Sequence, residues 1–363
     1  MAHVFNSDIL IHEDDRREAR REFPDVAFAL ENDALADVFK PIDRRANLSK
    51  ARSRRWGVYS VLLATAALML AAGEMLYDDL PKNQIRILAA VGVIAAIASV
   101  IIGVFGIMFH ERKMRWLADR LTTERLRQFH FQAYAAGAAE ILAGAKDEKA
   151  QAQYLAARAV KFEEFAKGLL ADIDDRLVHL AHEEDVGDGM AFEETQAQID
   201  PNDPHLNQYF AAYEKLRFDR QVGYFDHVLR EDKNFWKHGP ARQAQLIGAV
   251  AVACVFAVLG LYALIFMGAI TNVEWMKGPM IHVFAIWAAI IVLTARIFEE
   301  GFQPNREIER MRRHRFAVKQ IQTRYLAAKT PAAKIAAMHD HERLSYHEMV
   351  HFLKSNYEAQ FIM

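Results

Sequence analysis

The amino-acid sequence predicts an all-α membrane protein, with four transmembrane helices arranged as two hairpins and long cytoplasmic helical extensions. Three observations predict it. Four apolar runs, Trp56–Tyr77, Ile85–Phe109, Leu246–Ile270 and Met280–Phe298, carry almost no charge, and about 20 apolar residues suffice for a helix to cross a bilayer core. Basic residues crowd one end of every run and are sparse at the other. Between the runs, apolar residues recur at helical spacing, and no segment alternates like a strand for long.

The arm, residues 1–55, opens with a dense charge cluster over Asp8–Arg21. An apolar core would have to lie there in a signal peptide, so none is expected. Within the arm, Asn32–Lys40 has an N-cap residue followed by helical apolar spacing. Residues 56–109 form the first hairpin. Residues 110–182 continue into charged helices. His110–Gly144 reads as one long helix extending the second span, and Glu148–His182 as another, with Tyr154, Val160, Phe162, Phe165, Leu169, Ile173 and Leu177 on one side.

Residues 183–205 differ. They hold eight acidic residues, two Gly and two Pro, with no Lys or Arg, and read as a mobile acidic linker. Residues 206–245 are helical again and lead into the second hairpin, 246–298. Its fourth run is short, roughly 16 residues from Met280 to Ala295. It still reads as a span because Arg296 can snorkel to the interface. Residues 299–363 close the chain with further helices. A boundary near residue 190 divides the chain into two halves of similar plan, each a helix, a hairpin and a trailing helix.

The flanks set the expected topology. Arg44, Arg45, Lys50, Arg52, Arg54 and Arg55 precede the first run, and Arg112, Lys113, Arg115 and Arg120 follow the second. Arg230, Lys233, Lys237 and Arg242 precede the third run, and Arg296, Arg306, Arg310, Arg312, Arg313 and Arg315 follow from the end of the fourth. The turns hold only Lys82, beside Asp78 and Asp79, and Lys277. The positive-inside rule then places both termini and the central region in the cytoplasm, and the chain in a cell membrane.

Composition excludes several functions. A net charge of −2 over 363 residues points to no nucleic-acid partner. The single cysteine, Cys254, lies mid-span and reads as a packing residue, so no intrachain disulfide forms. No Asp, Lys or Arg lies deep in a run, whereas proton relays, ion-coupled transporters and voltage sensors need such groups. Near the outer ends lie Glu74 and His282. Glu74 is an interfacial residue on the plain reading, and a carboxylate at the mouth of an oligomeric cation pore on the sharper one. Ala95, Ser99 and Gly103, at i+4 steps with Gly92 and Gly106 nearby, make a helix-packing face. It serves either the two spans of one hairpin or neighbouring protomers.

One segment resembles enzyme chemistry. His347-Glu348-Met349-Val350-His351 is formally H-E-x-x-H, in which two histidines share a zinc and the Glu acts as base. Nothing fixes a third ligand, although His339 and His341 lie upstream, and Tyr357 stands where an extended zincin spacing needs His. The alternative is an amphipathic helix, Ser345–Phe361, burying Tyr346, Met349, Val350, Leu353 and Tyr357. We read the chain as a non-enzyme with no cofactor, His347, Glu348 and His351 being its weak metal candidates.

Tyr213, Arg217, Gln221 and Tyr224 follow a Y-x-x-x-R-x-x-x-Q-x-x-aromatic pattern ahead of the third run, and Trp116, Arg120, Glu124, Leu126, Arg127 and Phe129 follow the second. Leu35-Ala36-Asp37 to Asp43-x-x-Ala46 precede the first run. These flanks resemble those of the SLATT superfamily, the SMODS- and SLOG-associating two-transmembrane effectors of bacterial conflict systems. Two hairpins depart from that family's simpler plan. The resemblance implies an inner-membrane effector of antiviral defence, a homo-oligomer that permeabilises or depolarises the membrane when a cytoplasmic sensor signals. A non-conducting scaffold that anchors a cytoplasmic defence complex is the alternative. Independently of the family, Tyr213, Arg217, Gln221 and Tyr224 share one helical stripe, which a packing seam would also explain.

Overall fold

A computed structural model describes residues 7–77, 80–193, 199–229 and 239–358, without the side chains of 103–112 and 277. Asp78, Asp79, Arg230, Lys233, Lys237 and Phe361, and the side chains of Arg112 and Lys277, therefore lie outside the described residues. So do Gly103 and Gly106 of the small-residue face, beyond their place in a helix. Among the described residues there is no strand.

The arm folds as α1 (Glu13–Glu22) and α2 (Ala27–Leu30), and then enters α3 (Asp33–Ala72). Asn32 starts α3 as expected, its Oδ1 accepting the Leu35 N–H at 3.1 Å. The helix carries Pro41 without ending, so the arm helix and the first span are one element. A 3-10 turn, Gly73–Leu76, follows. The second span and its charged extension are likewise one helix, α4 (Lys82–Ala136). It ends at Gly137, where a Cβ would sit 2.8 Å from the Tyr154 ring and 2.9 Å from the Ala133 carbonyl oxygen.

Next come α5 (Ala138–Gly144), α6 (Glu148–Ala171) and α7 (Ile173–His182). Asp147 caps α6 by accepting the Ala150 N–H at 2.9 Å, and a break at Asp172 splits the single helix expected there. α8 (Leu206–Tyr213) passes through a π turn, Glu214–Asp219, into α9 (Arg220–Leu229). The last four helices, α10 (Pro240–Thr271), α11 (Pro279–Phe302), α12 (Pro304–Ala327) and α13 (Pro331–Glu358), all start on proline. That position needs no N–H donor. Four helices, α3, α4, α10 and α11, are long and apolar enough to cross a membrane, the makeup of a multi-pass membrane protein.

The chain forms two compact units, and neither follows the expected boundary near residue 190. One gathers residues 1–49, 114–229 and 309–358, and the other residues 50–113, 230–308 and 359–363. Both halves of the chain contribute to each.

The first unit is a charged helical bundle with an aromatic core. Tyr134, Tyr209, Tyr213, Tyr325, Phe129, Phe131 and Phe218 are fully buried. The hydroxyls of Tyr134, Tyr209 and Tyr325 are satisfied by backbone. Tyr134 and Tyr209 stack at 4.7 Å and donate to one another's carbonyls at 2.8 and 2.9 Å, while Tyr325 donates to the Phe210 carbonyl at 2.7 Å. The acidic segment 183–205, expected to be a mobile linker, is tied to the rest of the unit at several of its described residues. Tyr346 Oη donates to the Val186 carbonyl at 2.9 Å, Lys354 Nζ to that of Glu183 at 2.5 Å, and the Ala191 N–H to Gln132 Oε1 at 2.8 Å. Asp203 pairs with Lys146 at 2.6 Å and His205 with Asp25 at 2.8 Å. Its acidity and glycines suggested mobility, but its backbone groups are bonded by side chains from distant parts of the sequence.

The second unit holds the apolar runs. α3 meets α4 through Ser60 and Ser99, whose hydroxyls donate to each other's carbonyls at 3.3 and 3.0 Å. It meets α11 through the Thr65 and Thr294 hydroxyls, 2.8 Å apart, and through Trp287 Nε1, which donates to the Met69 carbonyl at 2.7 Å. Tyr77 Oη donates to the next carbonyl, that of Leu70, at 3.0 Å. Met69 and Leu70 belong to the last turn of α3, where carbonyls lack intrahelical partners. In hydrocarbon each unsatisfied group would cost several kcal/mol. α11 also packs on α10. The less exposed positions of α10 from Ile247 onward, Ala251, Cys254, Val258, Leu261, Ile265 and Gly268, repeat at alternating steps of four and three, the period of a helix-pair seam. At its end Gly268 lies under the returning chain, where a Cβ would come within 2.5 Å of Met276.

Candidate functional site

The sequence stripe Tyr213, Arg217, Gln221 lies in the helical unit and faces α13. The π turn helps to align it. In an α-helix each i+4 step drifts by about 40°, and the wider i→i+5 turn over Glu214–Asp219 takes drift back. Arg217 grips Glu342 with two bonds, Nε to Oε1 and Nη2 to Oε2, both 2.8 Å. The side chains of this pair are 5% and 0% exposed. The Tyr213 hydroxyl donates to Glu342 Oε1 at 2.8 Å and lies 3.2 Å from His341 Nδ1. Phe131 covers the guanidinium at 4.6 Å, and Phe218 stacks on His341 at 4.3 Å.

Gln221 completes the chain of bonds. Its Oε1 lies 2.6 Å from His341 Nε2, and its Nε2 2.9 Å from His314 Nε2. The amide nitrogen must donate to His314, so His341 Nε2 carries the proton donated to the amide oxygen. His314 Nε2 then carries no proton, so that ring is neutral. Burial and the Arg217 charge push His341 well below its usual range, and burial with the Arg310 and Arg217 charges pushes His314 down to about 3. Tyr224, the fourth residue of the stripe, instead packs beside Phe225 at 5.7 Å.

A second buried cluster joins the arm to α4. Arg127 pairs with Asp8 at 2.9 Å and with Glu124 at 2.9 Å, and Arg120 pairs with Glu124 at 2.5 Å. Burial works to raise the Glu124 carboxyl, but the guanidiniums of Arg120 and Arg127 outweigh it and hold it at about 2. Burial wins at Asp8, which is raised, because Arg127 alone pairs with it. Nearby, Arg45 binds Asp119 with both Nε and Nη2, at 2.8 and 2.5 Å. Thus Arg120, Glu124 and Arg127, singled out as family-like residues, are structural charges at the base of α4.

Glu342, His314 and Asp8 were not among the residues singled out in the sequence. Glu342 had a signal: a lone carboxylate on the face that carries Met338, His341, Ser345 and Met349, all buried. Asp8 and His314 sit inside charge-rich stretches that hide them.

The remaining candidates stay apart. Glu348 is held by Arg310, while His347 and His351 are exposed. Among the described residues no group of three or more His, Cys, Asp or Glu side chains is placed to hold a metal ion. Glu74 is exposed in the 3-10 turn after α3. Ala95 and Ser99 are buried, and Ser99 meets α3, as does Gly92, whose Cβ position is 3.6 Å from Leu70. At Gly92 and Ser99 the small-residue face thus contacts the preceding span of the same chain. Comparison with protein-family models, with curated proteins and with solved structures gave no match.

Proposed function

We propose that the protein is a multi-pass bacterial membrane effector, with its charged helical unit in the cytoplasm. Its four long helices assemble with further copies to permeabilise the inner membrane on a partner's signal, in defence against phage. One observation carries this reading. α10 packs along a single seam and leaves the rest of a span-length apolar helix, including Gly248 and Gly260 with nothing within 4 Å, open to lipid or to another copy. Exposed small residues allow close helix approach in a bilayer. The absence of deep charge in the runs fits a lesion better than a coupled transporter.

A non-conducting scaffold is the second reading, favoured by a different observation. Ser99 and Gly92 are engaged within one chain, the hydroxyls of Ser60 and Ser99 are spent on each other's carbonyls, and those of Thr65 and Thr294 face each other rather than a lumen. Purified protein in detergent and in dye-loaded liposomes separates the two. A symmetric oligomer that releases dye supports the effector. A monomer, or an oligomer that leaves liposomes sealed, supports the scaffold.

A further inference from the structure

Several arginines that flank the apolar runs are spent on carboxylates of the protein itself. Arg45 pairs with Asp119, Arg120 with Glu124, Arg296 with Glu299, Arg310 with Glu348 and Arg315 with Asp226. Arg52 and Arg55 lie on α3 just ahead of the first run. Both are exposed, and neither makes a hydrogen bond or ion pair among the described residues. Beside them stand Trp56 and Tyr59, 41% and 53% exposed, their rings edge to face at 6.2 Å. With 3.6 residues per turn, the four side chains leave α3 within an arc of about 100°. The buried Val61 and Thr65 mark the opposite side. There Thr65 meets Thr294 of α11, and Arg54 lies over the Phe302 ring at 5.8 Å. The face of two arginines and two aromatic rings is therefore turned away from α11.

Depth gives this face its chemistry. A helix the length of the first run, Trp56–Tyr77, measures about 33 Å, close to a hydrocarbon core of about 30 Å. When this run spans a bilayer, Trp56 lies at the hydrocarbon boundary, Arg52 and Arg55 in the headgroup layer and Tyr59 just below. Trp and Tyr favour that boundary because their rings are apolar and their tips polar. Side chains on a helix lean toward its N-terminus, so the Tyr59 ring leans back toward the arginines. Its hydroxyl makes no hydrogen bond among the described residues. Guanidinium forks match the oxygens of a phosphate group. Exposed Leu62, three residues further on, continues the face with apolar surface.

We propose that Arg52, Arg55, Trp56 and Tyr59 form a binding site for one anionic phospholipid. Its phosphodiester lies between the two guanidiniums, the Tyr59 hydroxyl donates to an oxygen below the phosphate, and an acyl chain runs down past Leu62. Charge complementarity selects the lipid. A phosphodiester with a neutral headgroup leaves its negative charge for the arginines, whereas a choline headgroup sets a cation against them. The inference needs only that α3 lies in a bilayer, and it stands whether the membrane helices conduct or not.

The test uses the full chain in neutral detergent, titrated with phosphatidylglycerol or phosphatidylcholine of identical acyl chains, with bound lipid counted by native mass spectrometry. Phosphatidylglycerol should bind one per chain and about tenfold or more tighter than phosphatidylcholine. Arg52→Gln with Arg55→Gln should remove that preference, and Arg52→Lys with Arg55→Lys, which keeps the charges without the forks, should retain part of it. All four changes fall on exposed side chains without a protein partner, so the fold stays intact, which monodisperse elution checks. Arg306→Gln with Arg312→Gln, two exposed arginines after the fourth run, should leave binding unchanged. Equal retention of the two lipids, or parental preference in the Arg52 and Arg55 glutamine variant, overturns the site. So does an equal loss in the Arg306 and Arg312 variant, the mark of diffuse attraction, or an oligomer that retains no lipid, the mark of a second copy covering this face.

Discussion

Replacing Glu342 by Gln keeps the side-chain volume and an acceptor for the Tyr213 hydroxyl, but removes the charge that neutralises Arg217. Both side chains of the pair are essentially without solvent. Stripping one partner from a buried ion pair costs about 3–5 kcal/mol, because the other charge is left uncompensated. Replacing both by apolar residues of similar volume is often near neutral. Tyr213 keeps a fallback acceptor in the double variant, the Met338 carbonyl at 3.2 Å. The account therefore expects Glu342→Gln to lose about 3–5 kcal/mol, and Arg217→Met with Glu342→Leu to lie within about 2 kcal/mol of the parent. The chain has two compact units, so a single unfolding free energy is not defined. Native-state amide exchange over α8 and α13 is the suitable assay. Glu342→Gln should speed exchange there by about two to four orders of magnitude, with α10 and α11 unaffected. Exchange within tenfold of the parent, or a double variant worse than the single one, would refute the reasoning.

Other consequences are equally specific. The unfolded chain binds protons at His314 below its ordinary pKa of 6.5, and the folded chain only below about 3. Stability of the helical unit should therefore be fully present above pH 6.5 and fall as pH drops toward 3, by up to about 1.4 kcal/mol per pH unit for this group. His314→Phe should flatten that slope in acid-unfolding curves. Gly189 has φ +68, and a Cβ there would sit 2.2 Å from the Tyr346 ring, so Gly189→Ala should release segment 183–193 to limited proteolysis at protein concentrations where the parent resists. Between spans, Thr65→Val should cost about 0.6–1.7 kcal/mol in a bilayer unfolding assay, and Thr294→Val added to it almost nothing more. Ser99→Leu should impair folding rather than assembly, read as loss of monodisperse protein rather than a smaller particle.

The membrane-length helices were legible because hydropathy over some 20 residues is a sum that no single contact overturns. The continuity of α3 through Pro41 was not. Proline usually stops a helix, and here packing at both ends of α3 outweighs one missing bond. The stripe Tyr213, Arg217, Gln221 was visible as a periodic pattern, but its partners Glu342, His341 and His314 lie more than 90 residues away, and pairing at that range leaves no local trace. Segment 183–205 failed for the same reason. Its glycines and acids match a linker by composition, while residues 183–191 are held by Arg125, Gln132, Tyr346 and Lys354 reaching over from α4 and α13. In the H-E-x-x-H segment Arg310 takes Glu348 as its partner, a contact from 38 residues away that the local spacing does not show.

The most direct test of the proposed function is membrane potential in bacteria expressing the full chain, followed with a potential-sensitive dye and checked for membrane insertion. High concentration stands in for the partner's signal by driving assembly, so strong induction should collapse the potential within the first generations, before cell lysis. Full-length inserted protein at high level with the potential intact would contradict the effector account and leave the scaffold.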